Sequence, residues 1–303
     1  MITDFSTLLS HVQGLGRKIV AIANAQDPAA LSALLKAREE GFAEGLLFGD
    51  AFQIRAILEK LGVIDVKAFT IHHFSTEEEA VRAAVRAVHR GEADILLKGR
   101  VKTGTLLKAV LNPEEGLRTG RLLSDAFVFE WPQPEGTRLI TITDGGVTIA
   151  PNLEQKIQII RNAVELAHLL GNATPRVALL SAVETVVPDM PSTVEATILT
   201  KMNQRGQIKG CVIDGPLALD NAVSPEALRL KGIDSPVQGL ADILVPPEMV
   251  SANLLAKSTT YWARFRLGHV IMGAKAPILI PSRADTEDAK LLSMALGALV
   301  ANR

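Results

Sequence analysis

The chain has 303 residues, 48% apolar and 21% charged, enough to bury a sizeable core and too apolar for disorder. Its 32 lysines and arginines nearly balance 33 aspartates and glutamates, and the net charge of −1 with no basic block argues against nucleic acid as a partner. One cysteine, Cys211, excludes a disulfide framework or a cysteine-rich metal site and fits a reducing, cytoplasmic setting.

The opening residues carry no basic region followed by an apolar stretch, so no signal peptide is expected. No apolar run approaches the roughly 20 residues that span a bilayer, so no membrane partner is expected. Phe5, Leu8, Leu9 and Val12 fall at helical spacing, and Lys18-Ile-Val-Ala-Ile-Ala reads as a buried strand. Asp27-Pro28 is an N-cap followed by proline at the first helical position, opening a helix to Glu40. Strand 45–48, helix 53–61 and a strand near 68–71 follow. Ser75-Thr-Glu-Glu78 has capping-box spacing and starts helix 79–90, after which 93–97 returns to strand. Such regular alternation means parallel strands joined by helical crossovers. Trp131-Pro-Gln-Pro-Glu-Gly136, with two prolines and a glycine, reads as a hinge. Beyond it come strand 139–143, helix 153–170, strand 177–180, helix 193–205, strands 211–214 and 243–245, helix 252–264 and strand 270–272. The expected architecture is two three-layer α/β domains with a cleft between them. The first covers residues 1–135 and is completed by 277–303; the second covers 136–276.

Candidate chemistry lies on loops that follow strands. Ile278-Leu-Ile280 is a short buried strand broken by Pro281, and Asp285 is placed to cap helix 286–300, with Asp288 near its first turn. Ser282 and Arg283 then sit between the strand's carboxyl end and the helix's amino end, where a phosphate or a developing oxyanion is well received. The plainer reading is a capped helix carrying a surface arginine. Lys98-Gly-Arg-Val-Lys102-Thr-Gly104-Thr105-Leu-Leu-Lys108 puts cations and glycines on a strand-to-helix loop able to line a phosphate, against the plainer solvated basic loop. It is not a Walker loop, since Thr105 stands where the lysine must be. Arg118 and Arg121, shortly before Ser124-Asp125, suit bidentate phosphate contacts. Thr143-Asp144-Gly145-Gly146 and Asp220-Asn221 are polar turns after strands, and Ser192 reads as a helix cap. No histidine pair has metal-binding spacing on a helix, and no Gly-x-Ser-x-Gly elbow is present, so no metal site is expected.

Together these loops resemble the phosphate acetyltransferase and phosphate butyryltransferase family along nearly the whole chain. The carriers are Leu97-Lys98-Gly99, Thr103-Gly104-Thr105-Leu106, Ser124-Asp125, Thr143-Asp144-Gly145-Gly146-Val147 and Leu180-Ser181-Ala182-Val183-Glu184. Met190-Pro191-Ser192-Thr193, the run Asp214 to Ala222, Lys231-Gly232-Ile233, Ala241-Asp242-Ile243-Leu244, Gly273 to Pro277 and Ser282-Arg283-Ala284-Asp285 complete them. Ser-Arg-Ala in place of Ser-Arg-Gly is closer to the butyryl branch.

The resemblance implies acyl transfer between coenzyme A and phosphate, in either direction, with coenzyme A a substrate and no permanently bound cofactor. It also implies the two-domain isocitrate/isopropylmalate dehydrogenase architecture, an interdomain active site and a homodimer. The acetyl branch has its proposed base seven residues after the serine; here that position is Ala289, leaving Asp285 and Asp288 as rival bases. Lys108 stands where that branch tends to carry arginine. On this reading Ser282, Arg283 and one of the two aspartates do the chemistry, with Arg283 stabilising the oxyanion. Substrate contacts fall to Lys98, Lys102, Thr103, Thr105, Lys108, Arg118, Arg121, Ser124, Asp144, Gly145, Gly146, Asp220 and Asn221. Two other readings compete. One is a metal- and nicotinamide-dependent dehydrogenase of the same fold using Asp214, Asp220 and Asp242; the other is a non-catalytic acyl-CoA or phosphate sensor. Cys211, read as part of a buried strand, is not expected to carry an acyl group.

Overall fold

The computed structural model describes residues 1–303. In chain order the elements are α1 (Phe5–Gln13), β1 (Lys18–Ala23), α2 (Pro28–Glu39), β2 (Ala43–Gly49), α3 (Ala51–Lys60), β3 (Thr70–His73), α4 (Glu77–His89), β4 (Ile95–Lys98) and α5 (Thr103–Val110). They continue as β5 (Ser124–Gln133), β6 (Gly136–Ile142), α6 (Leu153–Leu169), β7 (Arg176–Leu180), α7 (Pro191–Gln204), β8 (Val212–Leu217), α8 (Leu219–Val223) and α9 (Pro225–Lys231). The last are β9 (Ile243–Val245), α10 (Met249–Tyr261), β10 (Leu267–Met272), β11 (Ile278–Leu279) and α11 (Glu287–Val300). No helix is long and apolar enough to cross a membrane.

The chain divides into two compact units. A terminal unit holds residues 6–121 and 268–303, and a central unit holds 1–5 and 122–267. The division falls at 121/122 and 267/268 rather than at 135/136 and 276/277. The reason is local. Trp131 pairs with Arg138 and Gln133 with Gly136, so the expected hinge is the tight end of the antiparallel β5–β6 hairpin. Gly136 takes φ of 132°, which a glycine adopts without strain.

In the terminal unit the strand order is β3-β2-β1-β4-β11-β10, parallel except for β10. Val20 to Ala23 are all buried, as expected of a central parallel strand covered on both faces. The Asp27 side chain accepts from the Ala30 N–H at 3.0 Å with Pro28 following, as the sequence indicates. Helix α4 is capped by Thr76 instead of Ser75, through the same spacing one residue later, with Thr76 accepting from the Glu79 N–H. Helix α11 is buried at every residue from Ala289 to Val300 and packs on α2 and β11. A helix apolar all round belongs inside a core. Gly268 lets β10 lie against it, since a Cβ there would come 2.9 Å from the Leu292 carbonyl carbon.

The central unit orders its strands β5-β6-β9-β7-β8, parallel from β6 onward. Its core is filled by Ile160, Val164, Val177, Leu179, Leu199, Ile213 and Ile243 from α6, α7 and the strands. Asn152 and Gln155 form a capping box that starts α6. Met190, followed by Pro191, occupies the cap position of α7, so Ser192 is a helical residue bonded to Ser181 at 2.8 Å. Cys211 lies just ahead of β8 and is half-buried, and burial pushes its thiol up to about 11.

Candidate functional site

Strand register sets the site. Ala23 is abreast of Lys98, and Leu279 is abreast of Leu97, which brings Ile280 level with Lys98. The loops leaving β1, β4 and β11 therefore emerge side by side at the carboxyl edge, where parallel sheets bind ligands. Two of these loops are tied together. Gly99 and Arg100 donate their N–H groups to the carbonyls of Ala23 and Asn24 at 2.9 and 2.8 Å. The Asn24 amide donates to the Arg100 carbonyl at 2.6 Å. Gly99 has to be glycine here, because a Cβ would stand 2.2 Å from the Asn24 carbonyl oxygen.

The third loop is a tight turn. The Asp285 N–H donates to the Ser282 carbonyl at 3.2 Å, and Asp285 Oδ2 accepts from the Ser282 N–H at 2.7 Å. The same oxygen lies 3.3 Å from His269 Nε2. The Ser282 hydroxyl accepts from the Ala284 N–H at 3.3 Å. Asp285 is thus not the cap of α11; Thr286 is, accepting from the Ala289 N–H at 3.1 Å. Two adjacent residues can both cap, and the hydroxyl taking that task leaves the carboxylate to close the turn. Burial raises the Asp285 carboxyl, but His269, the Ser282 N–H and Lys290 outweigh it and hold it below its ordinary value. Arg283 and Ala284 form the exposed tip. Asp288 follows in the first turn of α11, beside Glu287, which accepts from the Ser32 hydroxyl at 2.5 Å and pairs with Lys36.

Lys98 is the notable charge. It is 5% exposed. Burial, then the charges of Arg283 and Lys290, push its ammonium below its ordinary value, with Asp27 and Asp285 opposing. The structure thus brings together Lys98, Ser282, Arg283 and Asp285 from the sequence reading. Lys102 stands at the cap position of α5 with no capping bond of its own, and Thr103 begins that helix.

The other expected contacts have these surroundings within their own units. Thr105 and Lys108 line a groove of about 410 Å³ between α4 and α5, together with Glu78, Arg82 and Glu115, the last paired with Arg86 at 2.9 Å. Arg118 and Arg121 flank Thr119, whose hydroxyl donates to the Gly273 carbonyl at 2.5 Å, and Leu117 accepts from Lys275. That segment is tied to the turn where β11 begins, the opposite edge from Ser282. In the central unit, Ser124 is buried and accepts from the Asn162 amide at 2.8 Å. Asp144 accepts from four backbone N–H groups, those of Asp125, Gly146, Val147 and Thr148, at 2.8 to 3.1 Å. Burial and the neighbouring Asp125 push its carboxyl up, against those donors. Gly145 and Gly146 serve packing: the Gly145 carbonyl accepts from Asn253, and a Cβ on Gly146 would meet Asp125 Oδ2 at 3.0 Å. Asp220 pairs with Lys231 at 3.0 Å, which holds its carboxyl below the ordinary value. The Asn221 amide, fully buried, donates to Glu184 at 3.3 Å.

The carboxylates a metal-dependent dehydrogenase would need do not converge. Asp242 is bonded to Arg138 and to the Arg176 N–H, and Asp220 to Lys231. Three residues at the site escaped the sequence reading: Asn24, His269 and Lys290. Lys290 carried a signal, because a lysine inside an all-apolar helix has no polar face to occupy.

The family described as phosphate acetyl/butaryl transferase matches residues 67–298. The chain is 45% identical to a phosphate acetyltransferase of Thermotoga maritima, covering 97% of this chain and 98% of that one. It is 44% identical to a phosphate butyryltransferase of Clostridium beijerinckii, covering 100% and 99%. A solved branched-chain phosphotransacylase from Enterococcus faecalis superposes with a TM-score of 0.82 at 33% identity, covering 94% of this chain and 99% of that one. The chain belongs to the phosphate acetyl/butyryl transferase family and is an acyltransferase enzyme.

Proposed function

We propose that the enzyme converts acyl-CoA and phosphate to acyl phosphate and coenzyme A, reversibly, at the loops leaving β1, β4 and β11. The observation that carries this placement is Lys98, 5% exposed at the end of β4, its ammonium pushed below its ordinary value by burial and by the charge of Arg283. A desolvated charge of this kind is costly unless an anion meets it. Phosphate is the anion of the reaction.

A phosphate oxygen attacks the thioester carbonyl, the C–S bond breaks as the C–O bond forms, and the thiolate leaves with a proton. Arg283, at the exposed tip of its turn, stabilises the charge that develops on the carbonyl oxygen. Ser282 and Lys98 hold the phosphate. Asp288 takes the proton that the attacking hydrogen phosphate gives up and passes it to sulfur, and moves it the other way in reverse; it is preferred to Asp285, whose carboxylate closes the turn onto the Ser282 N–H. Transfer is direct within a ternary complex, since the Cys211 thiol is raised and unfit as a nucleophile. The acyl group is short, butyryl or acetyl. Thiol release from butyryl-CoA with and without phosphate tests the reading. Release that requires phosphate is expected; release without it, or none, contradicts it.

The setting is cytoplasmic and the assembly a homodimer. Supporting the dimer, α10 and its cap expose Val250, Leu254, Tyr261 and Trp262 on the central unit, the last 87% exposed. Sedimentation at micromolar concentration, with monomer as the contrary result, checks it.

A further inference from the structure

We infer that Lys290 is a positioning residue for acyl transfer, acting through the Ser282–Asp285 turn. The residue is 1% exposed, in the stretch 289–300 of α11 where every residue is buried and only Ser293 is otherwise polar. The ammonium donates to the Asp285 carbonyl at 3.0 Å and to the Ser282 carbonyl at 3.3 Å, the first and last residues of the turn. No carboxylate oxygen lies within ion-pair distance of it. On the other side, His269 holds the Asp285 carboxylate, and the Ser293 hydroxyl, one turn along α11 from Lys290, accepts from the His269 N–H at 3.0 Å. The turn that presents Arg283 is therefore gripped at both ends from α11 and β10.

Packing alone does not account for a lysine here. A buried ammonium bonded only to carbonyls is paid for in desolvation, whereas methionine of similar length fills such a space without that cost. What the ammonium adds is a fixed distance between the carbonyls of residues 282 and 285, and with it the direction in which Arg283 leaves the turn. It also adds positive charge near Lys98. Three cations, Lys98, Arg283 and Lys290, thereby face two carboxylates, Asp27 and Asp285, leaving local charge that an anion neutralises. Misplacing a catalytic group by about 1 Å is enough to lose on the order of 100-fold in rate.

This inference rests on Arg283 acting in acyl transfer, so phosphate-dependent thiol release by the unaltered enzyme is measured first; its absence sinks both readings, whereas its presence with Lys290→Met unaffected sinks this one alone. The test is Lys290→Met, alone and combined with Arg283→Ala, with Lys290→Gln as a second variant that keeps one donor. The expected result for Lys290→Met is a folded protein of unchanged or higher Tm. Its kcat falls about 10- to 100-fold, its KM for acyl-CoA stays within about threefold, and amide exchange at residues 282–286 is faster. Lys290→Gln should fall between it and the unaltered enzyme. On the Arg283→Ala background, Lys290→Met should cost almost nothing more, because the residue acts through Arg283. Unchanged amide exchange at the turn, near-normal kcat, a full additional loss on the Arg283→Ala background, or failure of both variants to fold would each overturn the inference.

Discussion

Two loops of this molecule look alike in sequence and behave oppositely in structure. Thr143–Thr148 in the central unit and Ser282–Asp285 in the terminal unit each follow a strand and each carry an aspartate among small residues. In the first, Asp144 is saturated by four backbone donors and the loop is complete in itself. In the second, Asp285 folds the turn and leaves Arg283 exposed at its tip, close to Lys98. The lesson is that residue type nominates a loop, and the accounting of its hydrogen bonds decides what it is for. One aspartate organises a scaffold; the other holds cations ready for an anion.

Mutation should separate the two loops sharply. Arg283→Ala carries the largest expected effect on rate: kcat lower by roughly 100- to 1000-fold, as for the loss of one oxyanion donor, with stability unchanged because the side chain is exposed. Steady-state kinetics and a melting curve read both. Asp288→Asn should follow with a loss on the order of 100-fold in kcat, and Asp285→Asn should lose less while loosening the turn. An Asp285→Asn enzyme that is dead beside a fully active Asp288→Asn would reverse the assignment of the base. Asp144→Ala should do the converse. It should cost about 3 kcal/mol of stability, measured by denaturant titration, by leaving buried N–H groups unmet, and leave the kinetics of the folded fraction nearly unchanged.

The acid limb sharpens the contrast, because the two carboxyls are shifted in opposite directions. Asp285, held low, contributes stability that is present above its unfolded value and lost as pH falls through its folded value. Asp144, held high, contributes most below its unfolded value and loses that contribution as pH rises through its folded one. Asp285→Asn should therefore flatten the acid loss of stability below about pH 4, and Asp144→Asn should steepen it above about pH 4. The smallest effects belong to Cys211→Ala, which should keep full activity with intersecting initial-rate lines, and to Asp220→Ala, whose exposed pair with Lys231 should leave stability unaltered.

Most of the alternating α/β pattern was legible because buried parallel strands and capped helices write themselves in short apolar runs and in pairs such as Asp27-Pro28. What was not legible shares a cause. Pro132, Pro134 and Gly136 serve a hairpin end as well as a hinge, so β5 was missed and the unit boundary misplaced. Ser75 and Thr76, or Asp285 and Thr286, are neighbours equally able to cap, and sequence does not say which one the chain uses. The second ambiguity mattered most, since it redirected a carboxylate from helix to turn. At the site, Lys98, Ser282 and Arg283 were visible as types on loops. Arg118 and Lys108 were equally visible, and only strand direction and helix facing set them apart. His269 sits in an apolar strand run, where nothing in its spacing marks it.

The central claim is that phosphate is held beside Lys98 and Arg283. It is tested most directly by initial rates of Lys98→Met, with phosphate and butyryl-CoA varied separately. The account predicts a phosphate KM raised at least about tenfold, as for loss of a charged hydrogen bond, with the butyryl-CoA KM within about twofold and the protein no less stable. An unaltered phosphate KM in a folded Lys98→Met enzyme would contradict it.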